Sequence, residues 1–244
     1  MKPIFNVPGE ASIAIILGTI SGYPIGAKVV CDLKREKIIS KIEAERLIAY
    51  TNNSGPLFIL ATVGVSLFSN KKIGYILLIS HIASSLLVGY CFKFWKKNNL
   101  EINFKEMLFN TNNTPIKVQE LGEILGNSIK QATSTLLSIC GFIVLFSIIL
   151  STLQTSGLIN IFTNILHTFG LSKEISIALI TGIIELTNGV NLSSQTFNVF
   201  PHLSILLTSF LLGFGGLSVL LQVYSIIYKE NISIKPYLLG KILH

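Results

Sequence analysis

Ser12-Ile-Ala-Ile-Ile-Leu-Gly-Thr-Ile-Ser-Gly-Tyr-Pro-Ile-Gly-Ala-Lys28 is the stretch that decides the fold. It opens as an apolar helix, yet Ser21 to Gly26 then brings two glycines and a proline into a run that stays largely apolar from Ala11 to Val30. Proline removes a helix amide and clashes with the preceding turn, so a helix entering this stretch is interrupted. Interrupted backbone at membrane depth is tolerated only where protein or a water-filled cavity satisfies its freed polar groups. The stretch therefore predicts a membrane helix broken inside a protected interior.

The same pattern returns later in the chain. Ser176-Ile-Ala-Leu-Ile-Thr-Gly-Ile-Ile184 matches Ser12 to Ile20 at six of nine positions without a gap. Both copies then break: one at Ser21, Gly22, Tyr23, Pro24 and Gly26, the other at Glu185, Thr187, Asn188 and Gly189. At nearly constant offset, Asn52-Asn-Ser-Gly-Pro56 leads into Leu57-Phe-Ile-Leu60, and Gly215-Gly216 leads into Leu217-Ser-Val-Leu220. The expectation is all-α: a polytopic helical membrane protein with a duplicated unit of interrupted helices, broken or re-entrant. Its division is a first repeat over 1–97, a polar linker and helix start over 98–131 with the loop signature Asn110-Thr-Asn-Asn-Thr-Pro115, a connecting region over 132–174 and a second repeat over 175–244. The connecting helix is expected from about Gly122 through Leu153.

Composition agrees. Half of the 244 residues are apolar, only 13% are charged and mean hydropathy is +0.65, which a water-exposed surface does not sustain. Ile73 to Phe92 and Thr133 to Leu153 each reach the roughly 20 residues a helix needs to cross hydrocarbon. Alternation of the barrel type is absent. The net charge of +7 lies in loops and at segment ends, without a basic face interleaved with aromatics, so nucleic acid is not an expected partner. Lys34, Arg35, Lys37, Lys41 and Arg46 load one loop and Lys93, Lys96, Lys97, Lys105 and Lys117 another, and both read as cytoplasmic, with the turn near Lys71 and Lys72 on the far side. Met1 to Glu10 has no cleavable-signal pattern and reads as a chain that begins part-way through a larger assembly.

Half-helix ends present partial charges to a ligand, so paired breaks point to a midplane solute site. The candidate binding residues are those of the breaks, with Asn53, Ser54, Gly55, Ser218 and Gln222 beside them. This lining of hydroxyls and amides suits a polar, uncharged or zwitterionic solute, while kinked close packing and interhelical hydrogen bonds are the alternative use of the same residues. Glu185 is the sharpest signal, a carboxylate inside an apolar stretch that reads as a proton, cation or solute contact, or as half of an ion pair. His81 reads as a neutral imidazole bridging helices. Cys31, Cys91 and Cys140 lack metal or redox spacing and read as packing residues. Ile38 to Tyr50 reads as an amphipathic connector opened by Ser40, lying at the membrane surface or under the bundle. No nucleophile elbow, zinc signature or phosphate loop occurs, so neither an enzyme nor a cofactor or metal is expected.

Met1-Lys-Pro-Ile-Phe-Asn-Val-Pro-Gly9, Ser21-Gly-Tyr-Pro-Ile-Gly-Ala-Lys28, Glu43-Ala-Glu-Arg-Leu47, Asn52-Asn-Ser-Gly-Pro-Leu-Phe58, Gly216-Leu-Ser-Val219 and Gly240-Lys-Ile-Leu-His244 together resemble the YlbJ family of sporulation integral membrane proteins. That family lies within the wider group of nucleoside-recognition or Gate-domain proteins. The resemblance implies an endospore-forming bacterium, a multi-pass place in the membranes around the developing spore, and a requirement for a heat-resistant spore. It also implies a transport-related fold, with the lipid bilayer, a small polar solute or ion, and other spore-membrane proteins or a second copy as the expected partners. A scaffold for the spore envelope and its cortex is the rival. Members of the family carry further hydrophobic segments upstream of the position matching Met1, which makes this chain a shortened member by expectation.

Overall fold

The structure, a computed structural model, describes residues 1–96 and 121–244. Among these, every regular element is helical. They are α1 (Lys2–Phe5), α2 (Ser12–Ser21), α3 (Ile25–Arg35), α4 (Lys41–Thr51), a π-helical segment (Phe58–Leu67), α5 (Lys71–Phe92), α6 (Leu121–Thr155), α7 (Leu158–Thr168), α8 (Lys173–Ile184), α9 (Leu186–Gln195), α10 (Pro201–Phe214), α11 (Gly216–Ile227) and α12 (Lys235–Leu243). Lys97, Lys105, Lys117 and the Asn110–Pro115 loop signature lie outside the described residues.

Among the described residues, three helices are long and apolar enough to cross a membrane: α5, α6, and α10 with α11 taken through their break as far as Glu230. The expected connecting helix is α6, described over Leu121–Thr155, 35 residues. The 11 residues of α7 rise only about 16 Å, short of an untilted crossing.

The four interruptions fall where glycine, proline and Glu185 place them, and they take two forms. Two are turns of helical hairpins. In the first, α2 and α3 fold back about Gly22 (φ 79°) and Pro24, so that Gly18 meets Gly26; a side-chain carbon on Gly18 would stand 3.0 Å from the Gly26 Cα. In the second, α8 and α9 fold back about Glu185, and Gly182 and Gly189 leave no room for any side chain between them. The other two interruptions lie within helices that run on past them: α4 breaks at Asn52–Gly55 before the π-helical segment, and α10 breaks at Gly215 and Gly216 (φ 83° and 75°) before α11.

The apolar core is correspondingly split in two. One cluster gathers Ala14, Ala27, Val30, Leu47, Ile48, Val223, Ile227 and Tyr237 from α2, α3, α4, α11 and α12. The other gathers Ile59, Val63, Leu77, Ile175, Ala178, Val190, Leu207 and Leu211 from the π-helical segment, α5, α8, α9 and α10. Each interrupted helix passes from one cluster to the other at its break, and Tyr23 packs against both.

The two hairpins open toward opposite ends. At the base of the first, Arg35 pairs with Glu230 at 2.8 Å and Lys34 Nζ donates to the Glu230 carbonyl at 2.6 Å. At the base of the second, Phe197 meets the Phe68 ring edge-on at 5.3 Å, beside the loop that leads to Lys71. Arg46 donates to the Asn6 carbonyl at 2.9 Å, Lys96 pairs with Glu45 at 2.9 Å, and Lys93 donates to the Pro3 carbonyl at 2.6 Å. The described basic residues of the two loaded loops thus gather at one end, with Lys71 and Lys72 at the other end of α5.

α4 corrects one expectation. Ser40 opens it with the capping box the sequence announces, Glu43 closing the reciprocal bond, but the helix does not lie at a surface. All residues from Ile42 to Thr51 are buried. Its charges are tolerable because each is satisfied: Arg46 by backbone carbonyls, Glu45 by Lys96 and the Trp95 indole N–H. Amphipathic patterning suggests a place at the membrane surface or under the bundle, whereas these polar side chains face other parts of the chain. Of the cysteines, Cys31 is buried as packing residues are, but Cys91 and Cys140 lie on the exterior.

Candidate functional site

The breaks free backbone carbonyls at the ends of α4 and α10, and other parts of the chain bond some of them and pack against others. The Tyr50 carbonyl accepts from the Asn53 side-chain amide and the Ser85 hydroxyl, both at 2.8 Å. The Thr51 carbonyl is wedged between Gly18 and Gly26, where no side chain would fit, and the Ala49 carbonyl is covered in the same way by Gly240 of α12. Asn52 accepts the Ala27 amide and donates to the Tyr237 hydroxyl at 3.3 Å. The Ser54 amide donates to His81 Nε2 at 3.1 Å, which ties the break to α5 and gives His81 the bridging role read from the sequence.

At the other break, the Leu212 carbonyl accepts from the Tyr23 hydroxyl at 3.2 Å and from Ser54 Oγ at 3.4 Å. One freed carbonyl therefore joins the tip of the first hairpin, the α4 break and the α10 break. Gly215 lies under Tyr23, 3.2 Å from its hydroxyl if a side-chain carbon is placed there. Gly216 faces the second tip, where such a carbon would stand 2.9 Å from the Gly182 carbonyl.

Around this junction lies a cavity of about 520 Å³. Its polar lining comes from Ser21, Tyr23, Ser54, Glu185, Thr187, Ser218 and Gln222, with the backbone of Gly22 and Gly55. Ile20, Leu57, Phe58, Leu186 and Val219 form apolar wall, and Ile139 and Ile143 of α6 close one side. Glu185 is 2% exposed, and its two carboxylate oxygens accept the Thr187 and Asn188 amides at 3.0 and 2.8 Å, capping α9. Ser218 Oγ is buried without a hydrogen-bond partner.

No family model matches the chain, and no solved structure does. The sporulation integral membrane protein YlbJ of Bacillus subtilis (strain 168) is 35% identical to it over 258 residues, which is all of this chain and 63% of that protein. The chain is YlbJ-like. It spans just under two thirds of the length of that curated relative.

In this YlbJ-like chain, the residues singled out from sequence divide into two groups. Ser21, Gly22, Tyr23, Ser54, Gly55, Glu185, Thr187, Ser218 and Gln222 line one cavity although they are up to 201 positions apart. Pro24, Gly26, Asn52, Asn53, Pro56, Asn188, Gly189, Gly215 and Gly216 stand behind it, shaping the turns or satisfying freed backbone. Sequence reading missed the α6 wall and Lys241. The Lys241 ammonium is 2% exposed, donates to the Tyr23 hydroxyl at 2.9 Å and lies over the Tyr23 and Tyr237 rings, with no carboxylate within ion-pair distance among the described residues. Its one signal in the sequence is a lone lysine inside Tyr237-Leu-Leu-Gly-Lys-Ile-Leu243, which reads equally as the basic end of a short helix.

Proposed function

We propose that this YlbJ-like protein moves a small polar solute or ion across a membrane surrounding the developing spore, as a multi-pass protein and without an enzymatic step. One observation carries the reading: two hairpin tips and two helix breaks, from four separate regions of sequence, converge on one cavity with polar lining and apolar walls. Half-helix ends around a buried cavity are how membrane proteins hold a solute at depth. The hairpins open toward opposite ends, which supports a duplicated unit whose copies run inverted, a form suited to exposing one site alternately to either side. The name of the relative in Bacillus subtilis supplies the sporulation context.

A scaffold for envelope and cortex assembly, working through other spore-membrane proteins or a second copy, is favoured by one feature. In the most apolar stretch of α6 only 11% of residues are buried within the chain, which leaves a long helix free for neighbours. Uptake into proteoliposomes separates the two readings. Accumulation of a nucleoside, amino acid or cation supports transport; no accumulation of any of them, alongside a stable pull-down partner, overturns it in favour of the scaffold.

A further inference from the structure

The carboxylate of Glu185 has no basic partner. Among the described residues no lysine, arginine or histidine lies within ion-pair distance of it. Two amides of α9 bond the carboxylate, but amides carry no net charge and supply no counter-charge. A buried carboxylate left this way is costly unless a counter-charge arrives from elsewhere.

One further acceptor belongs to a residue of the same cavity wall. Ser218, 1% exposed and with its Oγ unpartnered, is among the residues that line the cavity with Glu185. Each carboxylate oxygen has already accepted one amide and keeps a lone pair for a second partner.

From this geometry we infer that the tip of the second hairpin binds a monovalent positive charge, held by the Glu185 carboxylate and Ser218 Oγ on the cavity side of α9. The chemistry fits either a bare alkali cation, which takes oxygen ligands of this kind, or the ammonium head of the solute itself. The ion's place in the transport cycle rests on the reading above, but its binding is an equilibrium property testable without transport.

The experiment measures the thermal unfolding midpoint of the purified full chain in detergent. The probes are sodium, potassium or methylammonium chloride, with N-methyl-D-glucamine chloride holding ionic strength constant. The expected result is a saturable upward shift with at least one probe. Its apparent affinity should fall about tenfold or more in Glu185→Gln and by a smaller factor in Ser218→Ala, as lost hydrogen bonds to a charge imply. Thr181→Ala, a buried hydroxyl outside the cavity, should leave the affinity unchanged. A shift with sodium or potassium assigns an inorganic ion; a shift with methylammonium alone assigns an ammonium head. Should Glu185→Gln fail to fold, Ser218→Ala decides, because it removes a group that bonds to nothing in the chain. No saturable shift with any probe, or unchanged affinity in every foldable variant of the two positions, overturns the inference. Saturable binding without uptake in proteoliposomes would sink the transport reading and leave this site standing.

Discussion

The two hairpin tips line one cavity, yet they are anchored in different ways. The first turns through Gly22-Tyr23-Pro24, carries no charge of its own, and has the buried Lys241 ammonium brought to its tyrosine by α12. The second turns through one extended residue, Glu185, which is itself the charge and caps the helix that follows. The first is held across the molecule by the bonds of Tyr23 to Leu212 and Lys241, whereas the second is held locally by backbone amides two and three residues on. A tip anchored across the fold couples to distant elements, while a tip anchored locally keeps its shape whatever its neighbours do.

Both hairpins share one requirement, close glycine contact, and changes there should have the largest effect. Gly26→Val drives a side chain into the Thr51 backbone and Gly189→Val drives one into Gly182, clashes with backbone that cannot yield. Each should abolish folded protein in the membrane, at a cost of about 3 kcal/mol or more. Gly141→Ala, at an open position of α6, should leave abundance at the wild-type level or above it. Detergent extraction followed by size-exclusion chromatography reads all three.

The long-range anchoring of the first tip predicts coupling. Tyr23→Phe strands the Lys241 ammonium without a hydrogen-bond partner and should cost about 1–3 kcal/mol. Lys241→Met removes the buried charge and should be neutral or stabilising. The double variant should then recover most of the loss of Tyr23→Phe, measured as unfolding midpoints in a double-mutant cycle. Additive losses would show that the two residues act separately.

The local anchoring of the second tip predicts a smaller and uncoupled effect. Glu185→Ala removes an N-cap and should cost about 1–2 kcal/mol, while Glu185→Gln, which keeps one acceptor oxygen, should cost less. Neither loss should change when Lys241→Met is added. A cycle showing coupling between 185 and 241 would mean the tips are not independent.

The smallest effect belongs to Ser218→Ala. Its hydroxyl has no partner in the chain, so without added cation the unfolding midpoint should shift by no more than about 0.5 kcal/mol allows. A larger loss would show that the hydroxyl holds the fold.

Periodicity, composition and the placement of glycine and proline carry the helical membrane class, the connecting helix ending near Leu153 and the positions of all four breaks. These are local consequences of backbone chemistry, legible from any window of the chain. Charge patterning carries the shared end of the loaded loops for the residues described. It misleads at α4, because Glu45 is bonded by Lys96 and Trp95 and Arg46 by the Asn6 and Trp95 carbonyls, partners distant in sequence. Lys241 is illegible for the same reason: nothing near it announces that α12 will be packed against α4 with its ammonium under Tyr23.

By itself, then, the sequence determines where helices begin, break and stop, since proline, glycine and capping residues act on their own turn of backbone. Which break meets which tip is decided by tertiary structure. The Leu212 carbonyl finds Tyr23 and Ser54 across separations of 189 and 158 residues, and the hairpins take opposite ends of the molecule through packing that no local window encodes. A freed carbonyl in apolar surroundings needs a donor, and for Leu212 only the assembled bundle brings one within reach.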